Sequence, residues 1–331
     1  MTDSNQNPDA TPKSCCTPSA GPREATSPIV DLTLSDAGVN RNSTEGMVRL
    51  DGGSFLMGGE GPLIWEQDGE GPVREVSVPP FWIDPCTVSN QQFAEFVDAT
   101  GYVTEAERFG WSFLFHLHLT KKQREVLRQD RAVAGIEWWL SVPGTCWKQP
   151  LGPDSSIDNR LDHPAIHVSW HDANAYAKWR GCRLPTEAEW EFAARGGREQ
   201  TIWPWGNKLL DKGRHRCNIF QGNFPKKDSG ADGFKGTCPV DAFEPNDFGL
   251  FNCIGNVWEW CQDWFSPDYH QARPDLRDNP IGPPSGKNRV QRGGSYLCHD
   301  SYCNRYRLSA RTSNTPDSSG SNVGFRCVRD V

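Results

Sequence analysis

With 331 residues the chain can bury a sizeable core without a metal or disulfide staple, so a mini-scaffold is excluded. A formal net charge of -7 and the lack of any long Lys/Arg run argue against recognition of a phosphate backbone, and the short Lys226-Lys227 pair reads as solvated surface. No stretch approaches the roughly 18 apolar residues of a membrane helix, and Met1 to Ala20 has neither a basic head nor an apolar run. The expectation is a cytoplasmic protein without nucleic-acid or membrane partners.

Apolar residues make up only 36% of the chain, against 32 Gly, 25 Pro and 14 Trp, which predicts loops and short elements around aromatic anchors. Residues 1–43, rich in Ser, Thr, Pro, Asn and Asp, cannot bury enough surface to offset ordering entropy and are expected to be a disordered tail. A single domain is expected over 44–331. Its first signal is a turn and strand at Asp51 to Met57. Ser89 caps a helix whose Phe93, Phe96 and Val97 share one face, and Gly101 stops it. A helix is predicted around Lys121 to Ala134, followed by Trp138-Trp139 and a loop at Pro143-Gly144. Capping boxes announce two further helices, Ala173 to Arg180 behind Ser169 and Asp172, and Trp190 to Arg195 behind Thr186 and Glu189. Gly181 and Gly196 close them. From Gly197 to Phe265 the texture is Gly, Asn, Asp and aromatic rich, giving short strands and ordered loops. Pro267 to Lys287 reads as an exposed loop, and Val290 to Tyr296 as a strand entering a cysteine segment.

That segment, Gly293-Gly294-Ser295-Tyr296-Leu297-Cys298-His299-Asp300-Ser301-Tyr302-Cys303, is the sharpest chemical feature. Hydroxyls, His299, Arg305 and Arg307 surround its two cysteines, a setting expected to favour thiolate. Two thiolates suit a soft, low-coordinate ion such as Cu(I), whereas structural zinc wants four ligands. The spacing equally allows a disulfide or two unrelated thiols. Two oxygen-rich runs, Asn218-Ile219 with Asp228 to Phe234 and Asn252 to Glu259, could each gather donors for calcium or be Asx turns that need no ion. His163, His167 and His171 recur every four residues, but Pro164 and the alternation Ile166-His167-Val168 indicate a strand, which removes the register that would align them. Trp258, Trp260 and Trp264 read as core, with one free to wall a pocket.

Taken together, these segments resemble the formylglycine-generating enzymes, or sulfatase-modifying factors, over about Met47 to Val328. The likeness runs through Asp68 to Pro72, His167 to Trp170, Arg183 to Glu191, Gly255 to Trp260, Arg292 to Arg307, Asn314 to Ser319 and Gly324 to Cys327. The Arg183 and Gly255 segments mark a wider superfamily with non-catalytic members, while Gly293 to Tyr306 resembles the active subgroup. The resemblance implies an α+β, C-type-lectin-like fold with little regular structure. It also implies oxidation by O2, with a thiol reductant, of the cysteine in a Cys-x-Pro-x-Arg segment of an unfolded or nascent sulfatase to Cα-formylglycine. By the same resemblance Cys298 and Cys303 hold copper, and Ser295, Tyr302 and Trp258 line the oxygen and substrate pocket. Asn218, Ile219, Asp232 and Phe234 would form one calcium site, and Asn252, Gly255, Val257 and Glu259 a second.

Ala177, Ala194 and Leu308 stand where vertebrate members carry disulfide cysteines, which suits a reducing compartment, leaves Cys327 without an obvious disulfide partner, and makes Cys182, Cys253 and Cys261 buried small hydrophobes. Three rivals are set against this reading. A silent lectin-like binding or chaperone module would lack the cysteine pair. An iron enzyme of the sulfoxide-synthase type would need a Glu where Ser169 stands. A zinc site would have to gather Cys253, Cys261, Cys298 and Cys303.

Overall fold

The structure is a computed structural model that describes residues 18–20 and 43–331. Apart from residues 18–20 and 43, the tail expected over 1–43 lies outside the described residues.

Helix formation follows local capping chemistry. The helices Asn90–Thr100, Trp170–Trp179 and Glu187–Arg195 begin at Ser89, Ser169 and Thr186. Each cap side chain accepts the backbone N–H three residues on, and Gln92, Asp172 or Glu189 returns the bond to the cap N–H. Such a cap contributes about 1 kcal/mol by satisfying N–H groups that the helix leaves open. Glycines in the left-handed region, Gly101 and Gly196, end the first and third. The same box starts Glu105–Phe109 and Lys121–Arg131, the latter close to the expected helix. Phe93, Phe96 and Val97 are buried as their spacing predicts, each large side chain contributing roughly 2 kcal/mol.

Strands are short and scattered. Phe81–Ile83 sits between Val48–Leu50 and Val328–Asp330, antiparallel to both, so the two ends of the domain meet in one sheet. A four-stranded sheet runs in the order Arg311–Asn314, Arg289–Arg292, Trp258–Trp264, Val323–Gly324, the last pair parallel. Gly53–Met57 pairs with Arg74–Val78, and Trp111–Phe115 with Trp139–Pro143. The second pair adds to the sequence reading, which put a loop at Pro143-Gly144, where the chain does turn, but no strand at Trp111 or Trp139. Adjacent residues are buried in both strands, as at Phe113 to Phe115 and Trp139-Leu140, so the period-two alternation that marks a strand is missing. A further correction concerns Val290 to Tyr296. The strand ends at Arg292, because Gly293 and Gly294 take φ of 92° and 77° and turn the chain.

The main core joins the three capped helices to the four-stranded sheet and includes Trp190, Trp258, Trp260, Cys298 and Cys303. A smaller cluster of Phe113, Phe115, Trp139, Phe220, Tyr296 and Leu297 lies under the cysteine segment. Among the described residues no helix is long and apolar enough to cross a membrane.

Candidate active site at the cysteine loop

The loop that carries the cysteines is anchored by charge at its root. Arg292, the last residue of its strand, is buried and donates to Glu187 (2.7 Å), Glu191 (2.5 Å) and the Leu308 carbonyl (2.6 Å). Glu191 also accepts from Arg195 at 2.6 Å, and Glu187 from Arg311 at 2.6 Å. The next two positions must be glycine. A Cβ on Gly293 would stand 2.8 Å from the Cys253 carbonyl oxygen, and one on Gly294 would stand 2.9 Å from that of Arg305.

Beyond the glycines the chain folds back on itself. The Cys298 N–H donates to the Ser295 carbonyl at 2.9 Å, and the N–H groups of Tyr302 and Cys303 both donate to the His299 carbonyl. This double turn brings the sulfurs of Cys298 and Cys303 to 3.5 Å, both buried and not joined by a disulfide. The Ser295 N–H points at the Cys298 sulfur from 3.3 Å, a contact that favours negative charge there. A disulfide, left open by the spacing, is therefore not formed.

Arg305 and Arg307 do not supply the positive field expected of them. Arg305 pairs with Asp68, and Arg307 takes both oxygens of Glu70 at 2.7 Å. Their charge is neutralised by the Asp68-Gly69-Glu70 turn, whose role in pinning the cysteine loop could not be seen from local sequence.

The other expected pocket residues converge through Asn322. Its carbonyl accepts the Trp258 N–H at 2.8 Å, and its side-chain amide donates to Ser295 Oγ at 3.1 Å. Trp258 is fully buried, and its indole N–H has no acceptor. The Tyr302 ring stacks on Phe224 at 4.7 Å and meets Trp138 edge-on at 5.1 Å. Phe224 also lies parallel to His299 at 6.4 Å. Each aromatic contact adds about 1 kcal/mol beyond area burial, so the wall is stiff. Phe224, Trp138 and Asn322 were missed by sequence reasoning. Phe224 precedes Pro225 in a tight hairpin and Asn322 lies in a buried polar run, signals that name neither as a partner of a loop so distant in sequence.

The histidine triplet separates as expected, although His167 lies in no strand. Its φ is 59°, and its fully buried ring bonds Ser112 Oγ and the Pro150 carbonyl, burial lowering its pKa to about 4. His163 bonds Thr237, and His171 begins a helix.

In the first oxygen-rich set, Asp232 accepts the N–H groups of Ile219 (3.0 Å) and Phe234 (3.1 Å). Asn218 donates to the Gly236 carbonyl at 2.9 Å. Burial raises the Asp232 pKa against those two bonds. In the second, Asn252 donates to the Pro239 and Val240 carbonyls and keeps a buried oxygen without a partner. Glu259 is engaged instead by Arg326 through both oxygens at 2.7 Å and by the Trp190 indole N–H at 2.8 Å. Val257 is buried and Gly255 turns at φ 79°. No cluster of three or more His, Cys, Asp or Glu suited to a metal occurs among the described residues, so Cys253 and Cys261 do not join the pair in a zinc site.

The family model for the sulfatase-modifying factor enzyme 1-like domain matches residues 34–331. The chain belongs to the formylglycine-generating enzyme, or sulfatase-modifying factor, family. It is 59% identical over 287 residues to the formylglycine-generating enzyme of Thermomonospora curvata, covering 86% of this chain and 94% of that one. It is also 46% identical over 285 residues to the inactive C-alpha-formylglycine-generating enzyme 2 of Mus musculus, covering 85% of each. The structure of PvdO from Pseudomonas aeruginosa superposes with a TM-score of 0.59 at 25% identity, over 86% of this chain and 94% of that one. The mixed α and β architecture is thus the fold of this family, as expected.

Proposed function

We propose that this member of the family is a copper-dependent oxidase. It converts the cysteine of a Cys-x-Pro-x-Arg segment, in an unfolded or nascent sulfatase, to Cα-formylglycine with O2 and a thiol reductant. The observation that carries the reading is the pair of buried thiols 3.5 Å apart, not joined by a disulfide. Such a pair fits a soft ion of low coordination, and among the described residues it belongs to no group of three or more His, Cys, Asp or Glu that would favour zinc. Bound Cu(I) would supply one-electron chemistry with oxygen.

The chain's own residues define the rest. Cys298 and Cys303 hold the metal, and the Ser295 N–H steadies the Cys298 sulfur in its charged form. Tyr302, packed on Phe224 and Trp138, would shield the bound substrate from water, and Trp258 offers a buried indole N–H that a bound group could use. Calcium at Asn218, Ile219, Asp232 and Phe234 would brace the strip leading to Phe220, whose N–H donates to the Cys298 carbonyl. At the second set, Asn252 Oδ1 is the acceptor left open, with backbone oxygen from Gly255 and Val257, and Glu259 would share its carboxylate between calcium and Arg326. The described cysteines are all free thiols, which suits a cytoplasmic, reducing setting.

The competing reading is a silent lectin-like module. The inactive mouse relative shows that similarity of this degree does not guarantee activity, but two thiols brought together and shielded have no task in a binding module. To decide, copper-loaded protein is given oxygen, a thiol reductant and a Cys-x-Pro-x-Arg peptide, and aldehyde is followed by mass spectrometry. Aldehyde from the parent and none from Cys298→Ser or Cys303→Ser is expected. Its absence from a folded, copper-bound parent would favour the silent module.

A further inference from the structure

Residues 18–20 lie far from the domain in sequence yet pack against it. Pro18 is buried, and its carbonyl accepts from Asn314 Nδ2 at 3.1 Å. Ser19 Oγ shares a hydrogen bond with Thr315 Oγ1 at 3.2 Å, and the Ala20 N–H donates to Ser318 Oγ at 2.9 Å. The clamp is built rather than incidental. Asn314, Thr315 and Ser318 are themselves buried, and Thr315 and Ser318 bond each other at 2.7 Å. Contacts through the carbonyl of Pro18 and the N–H of Ala20 read backbone, which is how a site takes hold of an extended peptide.

The segment that forms this clamp is linked to the thiols by hydrogen bonds. Four residues beyond Ser318, Asn322 donates to Ser295, whose N–H meets the Cys298 sulfur. The sequence of the docked segment completes the pattern: Cys16-Thr17-Pro18-Ser19-Ala20 has the cysteine and proline of Cys-x-Pro-x-Arg at the same spacing, with Ala20 in the place of arginine.

We propose that residues 16–20 are an internal pseudosubstrate. Asn314, Thr315 and Ser318 form the clamp for the residues that follow a target cysteine, and the chain's own tail competes for it. The proposal rests on the substrate class assigned above. Attachment to the same chain gives an effective concentration of about 1 mM. A tail with a free-peptide affinity near 0.1 mM would then fill the clamp about ten to one, and weaken an incoming peptide about tenfold.

Binding is tested without turnover, using the full chain and a fluorescein-labelled Cys-x-Pro-x-Arg peptide followed by anisotropy, with aldehyde formation assayed in parallel. Pro18→Asp removes the buried ring from the clamp and is expected to tighten peptide binding at least fivefold. Ala20→Arg restores the missing side chain of the pattern and is expected to weaken it. Saturating peptide should also accelerate hydrogen exchange at the Ala20 amide. If both variants bind and oxidise the peptide as the parent does, the pseudosubstrate is overturned while the oxidase reading stands. A peptide bound by none of the three proteins overturns both.

Discussion

Two regions of this protein solve opposite problems. Behind the cysteine loop lies a wall of buried charge in which five carboxylates meet arginines: Glu187 with Arg292 and Arg311, Glu191 with Arg195, Glu259 with Arg326, Asp68 with Arg305 and Glu70 with Arg307. In front of it, the pocket holds thiols, hydroxyls, an amide and aromatic rings. The contrast shows how a fold with short strands and few long helices keeps a reactive thiol site in place. Bidentate ion pairs are directional, so they fix loops that backbone ladders do not reach. The arginines nearest the thiols in sequence face away from them and serve the wall.

The largest expected effect separates the two regions. Cys303→Ser should reduce aldehyde formation by more than about a hundredfold while leaving the far-ultraviolet dichroism and cooperative unfolding of the parent. A comparable loss from a variant confined to the wall would blur the distinction. Conversely, Arg326→Leu leaves Glu259 buried without its partner and should cost about 3–5 kcal/mol in urea unfolding. A cost under 1 kcal/mol would mean that the wall is not what holds the fold together.

The wall should also govern acid stability. Burial alone would raise the Glu191 pKa, but Arg195, then Arg292 and the Gly58 N–H, outweigh it and bring the value from 4.5 down to about 2. A carboxylate depressed on folding stabilises the native state above its unfolded pKa, and that contribution fades as pH falls from 4.5 through about 2. The unfolding free energy should therefore drop over that interval, with a shallower slope in Glu191→Gln. An equal slope in the variant would remove Glu191 from the account. The smallest effect concerns neither region. Ser89→Ala deletes a cap accepting the Gln92 N–H and should cost about 1 kcal/mol, with aldehyde formation unchanged.

Much of this was legible in the sequence because it is local. The caps at Ser89, Ser169 and Thr186 and the stop glycines carry their own chemistry, and the Gly293 to Cys303 segment holds both thiols and the turn that joins them. What was hidden is long-range or patternless. Asp68 and Glu70 reach Arg305 and Arg307 across more than half the chain, and nothing near them announces a partner. The hairpin of Trp111–Phe115 and Trp139–Pro143 is buried on both faces, which erases alternation. Residues 18–20 sit in a segment whose composition speaks only of weak ordering, and their partners Asn314 and Ser318 lie at the far end of the chain.

The central claim is that Cys298 and Cys303 form a two-sulfur site for a soft ion. Anaerobic titration with Cu(I) against a competing chelator, followed by X-ray absorption at the copper edge, tests it most directly. One Cu(I) per chain bound through two sulfurs, and lost in both Cys298→Ser and Cys303→Ser, is the predicted result. Copper held equally well by those variants, or through three or four sulfurs, would contradict it.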